Sequence, residues 1–227
     1  MNEKVRTFLA SGMSQRRISR LLKIHMITVA RKLTFLGREA RLVNLQMRNE
    51  KIVRELQFDD FETIEHTKMK PLSITLAVEK KTRFILGFEV SKMSAKGHLA
   101  KRSLKKYGFR QDERTLGRNR LFRKIKTSIH ENALIESDQN PYYPLDVKTH
   151  FPHAFHRAIK GARGSTTGQG ELKKIQFDPL FSLNHTCAML RANINRFFRK
   201  TWCTTKKIQP LIDHLDIYVQ FHNTELI

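Results

Sequence analysis

Carboxylates inside two apolar stretches are the residues of this sequence best suited to chemistry. Asp59 and Asp60 lie in the middle of LQFDDFET, between Phe58 and Phe61. A charge among such neighbours is costly unless it is paired or binds a cation. Asp138 follows a second short apolar run, ALIES, and opens the turn DQNPYY. If the two strands are adjacent, the carboxylates converge, and hard divalent cations bind oxygen ligands of this kind.

Two divalent ions about 4 Å apart can activate a hydroxyl nucleophile and stabilise the leaving oxygen during phosphoryl transfer. Two acids placed in this way are what a divalent-cation site for phosphoryl transfer requires. An acid that caps a turn is the alternative interpretation of Asp138.

Histidine and cysteine do not indicate a metal site. A histidine triplet recurs at intervals of three in THFPHAFH: His150, His153 and His156. Pro152 breaks any helical face that they could share, so metal binding there is not expected. Cys187 and Cys203 are the only cysteines, and neither belongs to a CxxC pair. Their apolar neighbours favour buried, reduced thiols in a cytosolic protein, without zinc.

The charge balance predicts a polyanionic partner. Forty-three Lys and Arg against twenty-one Asp and Glu give a net charge of +22 and a pI near 10.4. Nucleic acid is the first expectation and an anionic membrane surface the second. No stretch resembles a signal peptide or approaches the ~20 apolar residues of a spanning helix. We therefore expect a cytoplasmic, nucleoid-associated protein without a membrane partner; the alternative is a basic but otherwise ordinary soluble protein.

Residues 1–45 are predicted to form a small helical DNA-binding domain, called the head. EKVRTFLASG is an amphipathic helix closed by Gly12. Ser14 caps a second helix, and a third begins near Met26 after a tight turn. Three short helices of this pattern make a helix-turn-helix, although Lys23 stands where a glycine often eases the turn. A helical linker is expected over 46–54.

In a helix-turn-helix, the N-terminal residues of the third helix meet base edges in the major groove. Five residues are predicted there: His25, Met26, Ile27, Ala30 and Arg31. Four are predicted nearer to phosphates: Arg16, Arg17, Arg20 and Lys32. A helical hairpin with a solvated basic face is the alternative.

Residues 55–227, called the body, change from a helical to a strand-like period. The predicted order is β-β-β-α-β-α/loop-β-α, with a hairpin over 72–91, a basic helical region over 92–130, a fifth strand in HAFHRAI and a long helix from Asp178 to about Lys200. The expected fold class is therefore α/β, of the α+β type, with a mixed sheet flanked by helices. The glycine-rich loop KGARGSTTGQGE lacks the Gly-Lys-Ser/Thr of a phosphate-binding loop.

Several segments together resemble the DDE transposases of small bacterial insertion sequences, whose catalytic domain has an RNase-H-like fold. LQFDDFET is similar to the first-acid strand and IESDQNPYYP…FPHAFH to the second-acid segment, while LNHTCAMLRANINRFFRKTWCTTKK is similar to the last helix and basic tail. The resemblance implies that Asp59 and Asp138 are catalytic metal ligands. It also implies DNA contacts from the C-terminal segment, at Arg191, Arg196, Arg199 and Lys200.

Two departures from the family pattern are visible. Members of this branch often carry a cysteine zinc ribbon ahead of the helix-turn-helix, and this chain is expected to lack it. The position that matches the third acid is Asn184, which would complete the site with an uncharged oxygen. Three residues could substitute for it as ligands: Glu171, Asp178 and His185.

The resemblance implies a transposase that cleaves and joins DNA strands at element ends, using two magnesium ions if it is active. Its partners would be the terminal repeats and the target duplex, bound as a homodimer, with no small-molecule substrate. The alternatives are a catalytically impaired relative that binds element ends, or a helix-turn-helix regulator whose body dimerises or binds a ligand. Thirteen Lys and Arg against two acids in 92–126 favour a body that itself holds nucleic acid.

Overall fold

The computed structural model describes residues 1–160, 178–198 and 203–227. The head contains three helices: Asn2–Ala10 (α1), Gln15–Leu22 (α2) and Met26–Asn49 (α3). As predicted, Ser14 caps α2, and its Oγ accepts a hydrogen bond from the Arg17 N–H at 3.2 Å. Lys23 ends α2 with a φ of 51°, the left-handed conformation that glycine adopts more easily.

Helix α3 runs past the predicted end of the head. It is continuous to Asn49, residues 50–52 connect, and Val53 begins the first strand. The linker predicted as helical over 46–54 is therefore helical only in its first four residues. The chain is already in a strand at Val53, which is fully buried and pairs with Ile129 in the sheet.

The last two α-helices of the chain are Phe181–Asn193 (α7) and Ile208–Phe221 (α8). Helix α8 completes the core of the head. Ile217 of α8 packs into a cluster formed by buried residues of α1, α2 and α3: Val5, Leu9, Ile18, Val29, Leu33, Leu36 and Ala40. A Cβ at Gly37 would lie 2.5 Å from the Asp213 Cβ. The absence of a side chain therefore lets α3 and α8 approach closely.

The body contains a five-stranded mixed sheet, which confirms the expected fold class. Its strands are Val53–Glu65 (β1), Thr67–Glu79 (β2), Ile85–Lys92 (β3), Ile129–Asp138 (β4) and Phe155–Ile159 (β5), in the spatial order β3-β2-β1-β4-β5. β1, β2 and β3 are antiparallel, whereas β4 runs parallel to β1 and β5 parallel to β4.

Helices cover both faces of the sheet. Three of them lie between the strands in sequence: Leu99–Tyr107 (α4), Arg114–Ile125 (α5) and Tyr143–His150 (α6). Alternate residues of a strand face opposite sides. Phe58 of β1 packs edge-on against Phe122 of α5 at 5.0 Å, whereas Phe61 packs against Phe197, just after α7, at 5.6 Å. The sheet is therefore buried between α5 and α6 on one side and α7 and α8 on the other.

The helix predicted from Asp178 to about Lys200 is shorter in the structure. It begins at Phe181, after the Asp178 Oδ1 accepts the Leu180 N–H at 2.9 Å, and it ends at Asn193. Ile194 is fully buried in an extended conformation, which turns the chain out of the helix. Across the residues that the structure describes, no helix is both long and apolar enough to cross a membrane.

Candidate functional site

Asp59 and Asp138 lie on neighbouring parallel strands. The last paired residues of β1 and β4 are Gln57 and Glu136, and each aspartate follows two residues later. Because residues two apart share a face of a strand, both carboxylates lie on the face that Gln57 and Glu136 occupy, at the same level. The sheet therefore brings together the two acids that the sequence singled out.

The environment of Asp59 favours its neutral form. Burial, and then the negative charge of Asp138, raise the pKa of Asp59 to about 7, although the Asp60 N–H and the Tyr143 hydroxyl stabilise the carboxylate. Those two donors reach the same oxygen, Oδ1, at 2.6 and 2.9 Å. Tyr143 is fully buried and also accepts the Asp60 N–H at 3.1 Å, which fixes its own proton toward Asp59.

Asp138 also stabilises the turn that follows β4. Its Oδ1 accepts the Asn140 N–H at 3.0 Å, as the turn-capping interpretation predicted. The two interpretations of Asp138 are therefore compatible, since a carboxylate has several acceptor positions.

Asp60 points to the opposite face and belongs to a structural ion-pair network. Its carboxylate accepts from Thr75 and from Arg118, whose Nη1 lies 2.9 Å away, while the Arg118 Nε donates to Asp146 at 2.6 Å. Arg118 is only 2% exposed. Burial alone lowers the pKa of its guanidinium, but the two carboxylates raise it overall. The network fixes α5 and α6 beneath β1.

Glu136 and Gln57 form a second buried polar group beside the aspartates. The Gln57 Nε2 donates to Glu136 at 2.7 Å and to the Pro179 carbonyl at 2.9 Å. Lys80 and Arg157 also donate to Glu136. Burial raises the pKa of Glu136, but these three donors lower it overall. A charged Glu136 therefore neutralises cations next to the candidate site.

Helix α7 packs against β1 and β2, on the face of β1 that carries Gln57. The Leu183 N–H donates to the Gln57 Oε1 at 3.1 Å, and the Arg191 guanidinium lies 5.3 Å from the centre of the Phe61 ring. Between them, Cys187 is a free, buried thiol; burial raises its pKa to about 12, and Asp59 adds to that shift. Within the turn of α7 from 184 to 187, Cys187 is therefore the residue that lies near Asp59.

Asn184, at the position of the expected third acid, lies on that turn with an exposed side chain. Its Nδ2 donates to the Asp178 Oδ2 at 2.8 Å, which leaves Oδ1 as the atom that could be a ligand. Of the possible substitutes, Asp178 is engaged with Asn184, His185 contacts the Arg83 Nη1 at 3.0 Å, and Glu171 is outside the described residues.

The donor set fits magnesium chemically, since carboxylate and amide oxygens are its usual protein ligands. Within 1–160, 178–198 and 203–227, no three or more His, Cys, Asp or Glu side chains are arranged to hold a metal. A site here would therefore combine the two aspartates with an uncharged oxygen.

The head exposes the residues predicted to face bases. Met26, Ile27, Ala30 and Arg31 are exposed at the start of α3, and Arg16, Arg17 and Arg20 are exposed on α2. His25 has a local role: its Nδ1 accepts the Ile27 N–H at 3.2 Å and caps α3. Lys32 donates to Asn2 of α1.

The four cations predicted from the C-terminal segment differ in exposure. Arg191 is exposed, whereas the Arg196 Nε donates to the His214 Nδ1 at 3.3 Å, and burial lowers the pKa of Arg196. Arg196 is therefore a partner of α8 in the structure. Arg199 and Lys200 are outside the described residues.

Sequence patterns did not identify Tyr143, Gln57 or Glu136 as neighbours of the site. Tyr143 lies in the segment that resembles the second-acid region, but its residue type and spacing indicate no role. The visible signal for Glu136 was its spacing of two from Asp138 within an apolar strand. No family model and no curated protein matches this chain, so its function is inferred from the residues themselves.

Proposed function

We propose that the protein is a DNA transposase that cleaves and joins strands at the ends of a small insertion element by magnesium-dependent phosphoryl transfer. The observation that carries the proposal is the pair Asp59 and Asp138, side by side on parallel strands, with the pKa of Asp59 raised to about 7. Both aspartates are half-buried, and a pair of like charges in such a setting is unfavourable until a cation joins it. The sheet order is compatible with an RNase-H-like body.

Different residues of the chain would bind the metal ions, orient Asp59 and position the DNA. Asp59 and Asp138, with the Asn184 Oδ1, would hold two magnesium ions, which would activate the attacking water or 3′-hydroxyl and stabilise the leaving oxygen. Tyr143 orients Asp59 through the hydrogen bond to Oδ1. The head positions the duplex through the start of α3 and the arginines of α2, in a homodimer on DNA.

The test is cleavage of labelled duplexes carrying the element ends. Asp59→Asn and Asp138→Asn should each abolish magnesium-dependent nicking and leave DNA binding intact, because each removes a full charge from the cation site. Glu62→Gln is the matched control: Glu62 lies on the same strand, is exposed and pairs with Lys96 at 2.9 Å. It should cleave normally. If the variants at positions 59 and 138 nick the duplexes at the rate of the unaltered protein, the proposed function is wrong.

A catalytically impaired relative is the second candidate, and the bond between Asn184 and Asp178 favours it. Asn184→Asp should raise cleavage, and Asn184→Ala should weaken it, if Asn184 is a ligand. If Asp178 has taken over, Asn184→Ala should matter little and Asp178→Asn should abolish cleavage. An unaltered protein that binds element ends and never nicks them, in magnesium or manganese, would be the impaired relative.

A further inference from the structure

Phe109 is the most exposed of the large apolar side chains in the described part of the chain, at 84%. It follows α4, whose last turn ends at Gly108. Single apolar side chains at a surface are common and need no explanation by themselves. Two further features, the charge around this ring and the way its loop is held, set Phe109 apart.

The helix that precedes Phe109 is a dense patch of cations. Only Ser103 of α4 is buried, and its Oγ donates to the Met69 carbonyl at 2.7 Å. Four cationic side chains of α4 are exposed: Lys101, Arg102, Lys105 and Lys106. Within the residues that the structure covers, none of these four lies within 4.0 Å of a carboxylate. The patch is therefore available to an anionic partner.

The loop that carries Phe109 is held firmly at both sides. Gly108 ends α4 with a φ of 73°, which other residues rarely adopt, and its N–H bonds to the Leu104 carbonyl at 3.0 Å. Arg110 donates to the Met93 and Pro71 carbonyls and to Glu65 at 3.2 to 3.3 Å. A ring presented from a fixed loop loses little conformational entropy on binding.

We propose that Phe109 stacks on an unpaired or unstacked base of bound DNA while the α4 cations hold the flanking phosphates. Aromatic rings among cations bind single-stranded bases in this way, and apolar side chains can enter between base steps. The inference rests on the proposed function, because it takes DNA as the substrate. Glu65, which accepts a hydrogen bond from Arg110, lies six residues beyond Asp59 on β1. At about 3.3 Å per residue, Glu65 and Asp59 are about 20 Å apart, which is the length of roughly six base pairs of duplex DNA.

The experiment measures binding of the full chain, in EDTA, to a duplex with one unpaired base and to its fully paired counterpart. Phe109→Ala should weaken binding to the first by about 5- to 150-fold, with a smaller change for the second. Phe109→Trp should retain affinity. The salt dependence should not change in either variant, whereas Lys105→Ala should lower its slope by about one on both duplexes.

Leu104→Ala is the matched control, since Leu104 is an exposed aliphatic residue of the same helix, at 58%. It should bind like the unaltered chain. An equal loss in Leu104→Ala and Phe109→Ala would overturn the assignment, because a general apolar surface would then explain both. Unchanged binding of Phe109→Ala to both duplexes would also overturn the assignment. The same holds if Phe109→Ala binds DNA normally and loses binding only to phosphatidylcholine–phosphatidylserine vesicles, which are measured in parallel.

The result is independent of cleavage. A chain that never nicks DNA but shows the expected Phe109 dependence would keep this assignment and lose the catalytic proposal. A chain that cleaves DNA with Phe109→Ala binding unchanged would keep the catalytic proposal and lose this one.

Discussion

At the scale of single residues, the state of Asp59 depends on groups from three different elements. Burial, and then the charge of Asp138 of β4, raise its pKa, while the neighbouring Asp60 N–H and the hydroxyl of Tyr143 at the start of α6 lower it. Both donors occupy Oδ1. The other oxygen, Oδ2, is therefore the one best placed to meet a cation, and Tyr143 determines which oxygen that is.

Tyr143→Phe removes only the hydroxyl and tests this positioning role. We expect about a 10- to 100-fold rise in the magnesium concentration for half-maximal cleavage, as for other groups that orient metal ligands. The free energy of unfolding should fall by only about 1 kcal/mol, the usual value of one hydrogen bond. Tyr142→Phe, at an exposed neighbouring ring, is the control. An unchanged magnesium midpoint would mean that the hydroxyl does not orient Asp59.

The two aspartates could be found from sequence because a charge in an apolar run is visible locally. The residues that contact these aspartates could not be found from sequence. The Tyr143 hydroxyl reaches Asp59 across 84 positions of sequence, and Gln57 reaches Glu136 across 79. Those contacts depend on which strands are adjacent and in which register, and no local pattern encodes either.

At the scale of elements, local signals predicted helix starts better than helix lengths. Ser14 identified the start of α2, and the hairpin from Leu72 to Ser91 matches β2 and β3. The helix expected up to about Lys200 ends at Asn193, because a buried Ile194 overrides its local propensity. Helix α8 was not predicted: its buried Asp213 and Asp216 look like surface residues until Arg41 of α3 pairs with them.

The start of α3 and the arginines of α2 should contribute differently to DNA binding. Arg31→Ala should relax sequence preference at one base position by about 1–3 kcal/mol, because a base contact carries specificity. Arg17→Ala should weaken binding to all sequences alike and lower the salt slope by about one. Arg38→Ala, at an exposed residue two turns further along α3, should do neither. Identical preferences for all three in a binding selection would exclude this orientation.

At the scale of the whole molecule, His214 joins the head to the rest of the chain. It is 1% exposed on α8, its Nε2 lies 2.9 Å from the Leu9 carbonyl of α1, and Arg196 donates to its Nδ1. Burial, and then the charge of Arg196, lower the pKa of His214 to about 4. The folded protein therefore requires a neutral imidazole at this junction.

His214 should consequently make a contribution to the free energy of unfolding that is lost in acid, opposite in sign to those of Asp59 and Asp216, whose pKa values are raised. Between pH 6.5 and about 4 the unfolded chain takes up a proton at His214 that the folded chain excludes, so this contribution is complete above pH 6.5 and declines below it. The loss should reach about 3 kcal/mol in free energy of unfolding. His214→Gln should start less stable at pH 7 and lose less on acidification. Parallel pH profiles from urea denaturation would contradict this.

The unbroken course of α3 has a consequence for the DNA rather than for the protein. Its 24 residues span about 36 Å, from the end that would enter the groove almost to the strand that carries Asp59. In the proposed transposase, a rigid spacer of this kind would fix both the distance and the rotational phase between the recognised bases and the phosphate to be cut. Inserting five base pairs between them would turn that phosphate to the far side of the duplex. In such an element, the number of base pairs between the recognised bases and the cleavage position would therefore be conserved as strictly as the recognised bases themselves.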